Sequence, residues 1–263
     1  NKVGVEFRAP WGTSAGRLYV VAKGNSRAQN SADVRVDDVV LEPIEAHTAQ
    51  YALKKTPAPL ERLWGVHPRL YLTGDSLADL RRKKDTTHAG IWKSLAAQAD
   101  DLVKKEPPAY PDTVREAFDE QWWQARNDYS MTTLAFAYLV SGDKRYLDAA
   151  VKWALATCRY PNWGVGWSGG LDCMAGQNLY GLAMVYDWCH YDLAPEMREE
   201  LRDTMVRRGG LLFKAASEGT IVPDAQEFAT RPWPEWESAW LQNHLWVNAS
   251  GLAAAGFALY GEY

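Results

Sequence analysis

Trp240-Leu-Gln-Asn-His-Leu-Trp-Val-Asn-Ala-Ser-Gly-Leu-Ala-Ala-Ala-Gly-Phe-Ala-Leu-Tyr260 is the stretch from which the rest of the chain can be read. From Gly251 onward it is small and apolar, and a helix with no polar side is built to be buried. Its other end is different in kind, because Gln242, Asn243, His244 and Asn248 all carry hydrogen-bonding groups. On a core helix such groups must be paired or must await a ligand. Asn243 as an N-cap and His244 as a satisfied core histidine form one reading. The other is a binding or catalytic site. Trp240 and Trp246 bracket the pair, and Pro232-Trp-Pro-Glu-Trp-Glu237 leads into it. That concentration of flat rings and polar groups favours the site.

Composition narrows the classes. The 263 residues suffice for one large domain or two small ones. A net charge of −4 gives no field for a polyanion such as nucleic acid, although an acidic sugar needs only a local site. No run of 18 apolar residues exists, so no membrane-spanning helix is expected. The three cysteines, Cys158, Cys173 and Cys189, lack metal-type spacing. Cys158 and Cys189 lie on apolar helical faces and read as small buried hydrophobes. No metal site and no cofactor is expected, since Walker, dinucleotide, HExxH and zinc-finger patterns are all missing from the sequence. Thirteen tryptophans and thirteen tyrosines are the compositional excess. Aromatic rings fill cores, and they also pack against the C–H faces of sugars in binding clefts.

Residues 1–46 alternate at a period of two in Val3–Phe7, Arg17–Ala22 and Val34–Leu41, with Gly, Asn and Ser between. These predict the last strands of a β-sandwich-like module, and Val36-Asp-Asp-Val-Val-Leu-Glu42 resembles the final strand of carbohydrate-binding modules. Three strands leave open edges, so the start of that module is expected upstream. Residues 47–66 read as a linker stiffened by Thr56-Pro-Ala-Pro59. His67-Pro-Arg-Leu-Tyr-Leu-Thr73 follows as an extended entry, with His67 held away from any helix by Pro68. Asp75 is expected to cap a helix from Ser76 to about Lys84, because Thr73 lacks the glutamate of a full capping box.

Beyond residue 88 the period is helical, over 88–105, 113–119, 126–141, 143–158, 173–190, 195–216 and 238–260. An apolar helix ending in Gly, an acidic residue and Tyr occurs at 134–146 and again at 252–263, an internal repeat of helical hairpins. Such hairpins close into (α/α) toroids or grow into solenoids. The fold expected is therefore mainly α: an incomplete (α/α) toroid over 67–263, truncated after its last turn, behind the strands of 1–46.

The Asn243-His244 helix, His67-Pro-Arg-Leu70 and Tyr186-Asp187-Trp188 together resemble the helical domain of heparinase II/III-like polysaccharide lyases. The resemblance implies a secreted or periplasmic enzyme that cleaves an acidic, uronic-acid polysaccharide by β-elimination without a metal. Asn243 would neutralise the uronate carboxylate and His244 would take the C5 proton. The acid that protonates O4 is a Tyr in many such lyases, and no Tyr here matches that motif. Tyr186-Asp187-Trp188 is expected to pack, with Asp187 bonding a loop. Three long loops, 107–123, 160–172 and 218–240, are rich in aromatic and polar groups, and the second and third are expected to lead into inner helices on the side that holds the pair. Substrate-binding candidates are Trp163, Trp167, Gln177, Glu237, Trp240, Gln242 and Asn248. Three rivals remain: a glycoside hydrolase using Glu235 and Glu237, a uronate epimerase, and a non-catalytic carbohydrate-binding scaffold.

Overall fold

A computed structural model of the chain describes residues 61–110, 127–161, 163, 173–218 and 243–262, and side chains at 214–218 and 243–244 are outside that description. The chain divides into two compact units, residues 1–54 and 55–263, and the division falls inside the 47–66 stretch. The strands expected over 1–46 and the helix expected over 113–119 lie outside the described residues. Everything below concerns the second unit.

Seven α-helices are described: α1 Gly74–Lys83, α2 Ala89–Val103, α3 Asn127–Ser141, α4 Lys144–Arg159, α5 Cys173–Trp188, α6 Pro195–Glu218 and α7 Asn243–Ala258. A short 3-10 turn, His190–Asp192, links α5 to α6. Helix starts and stops follow local chemistry. Thr73, not Asp75, caps α1: its side chain accepts from Ser76 N–H, and Ser76 Oγ accepts from Thr73 N–H at 2.7 Å. A serine thus closes a capping box that was expected to need glutamate. Asp75 sits instead in the first turn, where its charge suits the helix dipole. Gly142 at φ +75° ends α3, and Asp143 caps α4 by accepting from Arg145 N–H at 3.0 Å. Pro195 opens α6, where its missing N–H costs nothing.

The helices form two layers. α3, α5 and α7 are apolar on nearly every side, and thirteen of the sixteen residues of α5 are buried. They run parallel to one another. Gly181 of α5 meets Asp128 and Met131 near the start of α3, while Trp188 meets Phe136 toward its end. Gly176 of α5 lies against Val247 and Asn248 of α7, and Tyr186 reaches Glu262 just beyond α7. α2, α4 and α6 make the outer row. Tyr146 donates to Asp100 at 2.9 Å, Lys152 to the Lys105 carbonyl at 3.0 Å, and Arg159 to Glu200 at 2.9 Å. Charged residues such as Lys152 and Arg159 face outward from α4, while Tyr146, Ala150, Trp153 and Cys158 face in.

The closest approach is between α5 and α7, where glycine faces glycine. A Cβ on Gly251 would stand 2.0 Å from the Gly176 carbonyl oxygen. Only hydrogens at both positions let the two backbones touch. This is why the Gly and Ala run that opened the sequence reading is there.

Candidate functional site

Because α3, α5 and α7 are parallel, the connections that enter them arrive at one end of the layer. These are the long ones, spanning 104–126, 160–172 and 219–242, whereas the returns at 142–143 and 189–194 are short. The end of the layer at the starts of α3, α5 and α7 is called the head here, and the opposite end the tail.

Asn243 and His244 are the first two residues of α7, at the head. Asn243 is itself the first helical residue. Four candidates, Trp167, Glu237, Trp240 and Gln242, lie outside the described residues. Asn248 is fully buried, packed on Gly176 in the α5–α7 contact one turn below the pair. Gln177 is half-buried on α5.

Trp163 was expected to offer a sugar platform, and the structure buries it to 1 % exposure. Its indole N–H donates to the Thr157 carbonyl at 2.8 Å, and the Arg208 guanidinium covers its ring at 5.3 Å. Arg208 also donates to the carbonyls of Tyr160 and Pro161, at 3.0 and 2.7 Å. Asn127, at the start of α3, donates to Thr157 Oγ1 and Tyr160 Oη, both at 3.3 Å, and Tyr160 donates to the Pro108 carbonyl at 2.6 Å. Burial pushes the Tyr160 hydroxyl up, so it stays a neutral donor. These bonds fix where α4 ends, and Trp163 belongs to that framework.

One head residue was missed. Asn178 is buried, and neither its amide nitrogen nor its amide oxygen has a hydrogen-bond partner among the described residues. Gln177 Oε1 is in the same state. Orphaned buried amides are costly unless a water or ligand meets them. The pair Gln-Asn at the start of an apolar helix was the available signal, and only its first member was singled out.

The tail holds a denser charge cluster. Asp187, at the end of α5, accepts from the backbone N–H groups of Arg69 at 3.0 Å and Leu70 at 2.8 Å. Its other oxygen lies 2.6 Å from His67 Nδ1. Trp188 Nε1 donates to the Leu70 carbonyl at 3.0 Å. Asp187 therefore bonds a loop, as expected, and the loop is the His67-Pro-Arg-Leu70 entry. His67 is not held away from helices: it is buried against α5 with its ring stacked on His190 at 3.7 Å. Glu262, just past α7, lies 2.5 Å from His67 Nε2, accepts from Arg69 Nη2 at 2.6 Å and accepts from the Tyr186 hydroxyl. Burial alone would raise the Glu262 pKa, but the bonds from Tyr186 and His67 win and hold it below the ordinary carboxylate value. Burial, with His67 alongside, lowers His190 to about 4, so it is neutral near pH 7.

His67, His190 and Glu262 bring ligand-type atoms within 4.8 Å of one another. The arrangement suits an internal cation better than a metal. Arg69 Nη2 stands 2.6 Å from Glu262 Oε1 and 2.5 Å from His67 Nε2, the space an ion would need. The two imidazole planes are stacked within 8°, so their in-plane lone pairs run side by side instead of converging. The cluster is a clamp that fastens residues 67–70 across the ends of α5 and α7. Compared with models of known protein families and with curated proteins, the chain matches none.

Proposed function

We propose that the chain is the helical part of a polysaccharide lyase that cleaves a uronic-acid polymer by β-elimination. Its hairpins would belong to an (α/α) toroid, with a β-sandwich-like module over residues 1–46, in a secreted or periplasmic enzyme. The observation that carries this reading is the position of Asn243 and His244. They open a charge-free helix at the end of the layer where the three long connections arrive.

The chemistry assigns each group one task. The Asn243 amide donates to the uronate carboxylate, which draws electron density from C5 and makes its proton removable. His244 takes that proton near neutral pH. The C5–H electron pair becomes the C4=C5 double bond, and the C4–O4 bond breaks. O4 leaves with a proton from a separate acid, for which no residue is assigned. The orphaned amides of Gln177 and Asn178 lie at the head of the adjoining helix and add hydrogen-bonding capacity at the same end.

The test is incubation with a panel of uronic-acid polysaccharides, following ultraviolet absorbance of the conjugated double bond and new reducing ends in one tube. A lyase raises both signals together. His244→Ala should lower turnover by about 10²–10⁴-fold while saccharide binding persists. Reducing ends without absorbance would replace the lyase with a hydrolase and remove Asn243 and His244 from the mechanism.

A further inference from the structure

The three inner helices share a feature that the outer ones lack: α3, α5 and α7 contain no Lys or Arg. None of the helices that begin at the head therefore brings a cation to it. Arg208, on α6, is already committed to the Tyr160 and Pro161 carbonyls and to the Trp163 ring. What the head offers instead is neutral. Asn178 is 1 % exposed with its amide nitrogen and oxygen both unpartnered, and Gln177 Oε1 is buried in the same condition. A primary amide both donates and accepts, which matches a sugar hydroxyl or acetamido group. A sulfate only accepts, and its charge calls for Arg or Lys.

The connections that arrive at the head carry the same preference in their charges. Over 104–126, 160–172 and 219–242 there are ten Asp and Glu against five Lys and Arg. That surplus of five exceeds the net charge of −4 on the whole chain, so all of the net negative charge lies in segments anchored at this end. An acidic surrounding repels a polyanion, and more strongly as the charge density of the polyanion rises. The same segments hold seven of the thirteen tryptophans, of which Trp163 is built into the framework. Flat rings suit the C–H faces of sugars and gain nothing from sulfate.

We propose that the polymer taken at the head is unsulfated and that its uronates are separated by neutral sugars. This rests on the lyase reading above and adds to it the charge density of the substrate. The single carboxylate of each repeat is left to Asn243, and the hydroxyl or acetamido groups beside it to the amides of α5. A sulfate, or a carboxylate on every sugar, adds charge where no inner helix has a cation to answer it. A unit charge about 8 Å away in water changes an equilibrium by roughly a factor of two. With a surplus of five acids, partly screened, a discrimination of about tenfold is expected.

Steady-state kinetics on unsulfated chondroitin, its sulfated forms and polygalacturonate test this, read by absorbance of the new double bond. At about 20 mM salt kcat/KM should be about tenfold higher on unsulfated chondroitin than on the others, narrowing to about threefold or less at about 300 mM. On every polymer the rate should hold or rise with salt, because screening relieves repulsion. Gln177→Lys places an ammonium among the head amides and should close the gap at low salt with helical circular dichroism unchanged. The salt series on the parent decides the matter where that variant does not fold. A preference for sulfated chondroitin or polygalacturonate, or a rate that falls with salt, overturns the proposal and leaves the lyase standing. Absorbance on none of these polymers at any salt removes the lyase reading and this inference with it.

Discussion

Replacing Gly251 with alanine adds one carbon at the tightest point of the fold. Its Cβ would fall 2.0 Å from the Gly176 carbonyl oxygen and 2.6 Å from the carbonyl carbon, where ordinary contact begins at 3.4 Å. Both neighbours are backbone, so no side chain can turn aside. α7 must therefore lift from α5 by about 1.4 Å at that point, which loosens the packing of Asn248, Ala254 and Ala255. Overpacking of this kind costs about 1–3 kcal/mol and more where backbone is met, against about 1 kcal/mol gained from helix propensity. A net loss of about 2 kcal/mol lowers Tm by about 4–8 °C in a chain of this size. Gly256→Ala is the matched control, because its Cβ meets nothing within 4 Å. It should stabilise by about 0.5–1 kcal/mol through propensity alone. Thermal and urea melts of both variants by circular dichroism decide the matter. Equal or higher stability for Gly251→Ala would refute the glycine-to-glycine contact and the inner layer built on it.

Two further outcomes follow from the tail clamp. Asp187→Ala removes the acceptor for two backbone N–H groups and the partner of His67, and it leaves the buried Arg69, whose Nε lies 3.8 Å from Asp187, without that carboxylate; breaking a buried ion pair costs about 3–5 kcal/mol. Hydrogen exchange should show Arg69 and Leu70 amides losing protection; unchanged protection would mean that the clamp does not hold the segment. Stability should also fall on acidification, from both titrating partners. His190 is lowered from 6.5 to about 4 on folding, so between those values the unfolded chain binds the extra proton and stability drops as pH falls. Full burial would make this about 3 kcal/mol, and partial exposure reduces it to about 1–2 kcal/mol. Glu262, held below 4.5, adds a further loss below that pH. His190→Phe should flatten the upper window in urea melts run from pH 7 to 4. A profile identical to the parent's would remove His190 from the account.

What the sequence made legible was whatever local periodicity encodes. α3, α4, α5, α6 and α7 were each visible from helical periodicity, and α5 and the later part of α7 as apolar runs. Asp143 and Gly142 marked their turn because capping and left-handed backbone are decided within a few residues. Thr73 was misjudged because a serine at the third position can reach back as a glutamate does, and residue type alone hid it. The clamp was beyond reach for a different reason. His67, Asp187 and Glu262 are separated by more than a hundred residues on one side and about seventy on the other. Only the parallel stacking of α5 and α7 brings them together. Trp163 fell between the two cases: its neighbours in sequence suggested an open loop, while Arg208, far along α6, closes over it.

The two ends of the helix layer now differ in a way that bears on function. At the tail, the carboxylate oxygens of Asp187 and Glu262 are all turned on members of the clamp, while Arg69 Nε and His190 Nδ1 are buried with no hydrogen-bond partner among the described residues. These bonds fix the α5–α7 register. At the head, the amides of Asn178 and Gln177 are buried with atoms that no described residue satisfies, beside the helix that begins Asn243-His244. Unsatisfied buried amides destabilise a fold unless something meets them. On the proposed lyase reading, the head amides are the ones that meet saccharide. Replacing Asn178 with leucine of similar size separates the two possibilities. If the amide awaits saccharide, the variant should be as stable as the parent or more so, yet bind uronic-acid oligosaccharide at least about tenfold more weakly, a loss of about 1.4 kcal/mol. Undiminished binding would move the ligand away from α5.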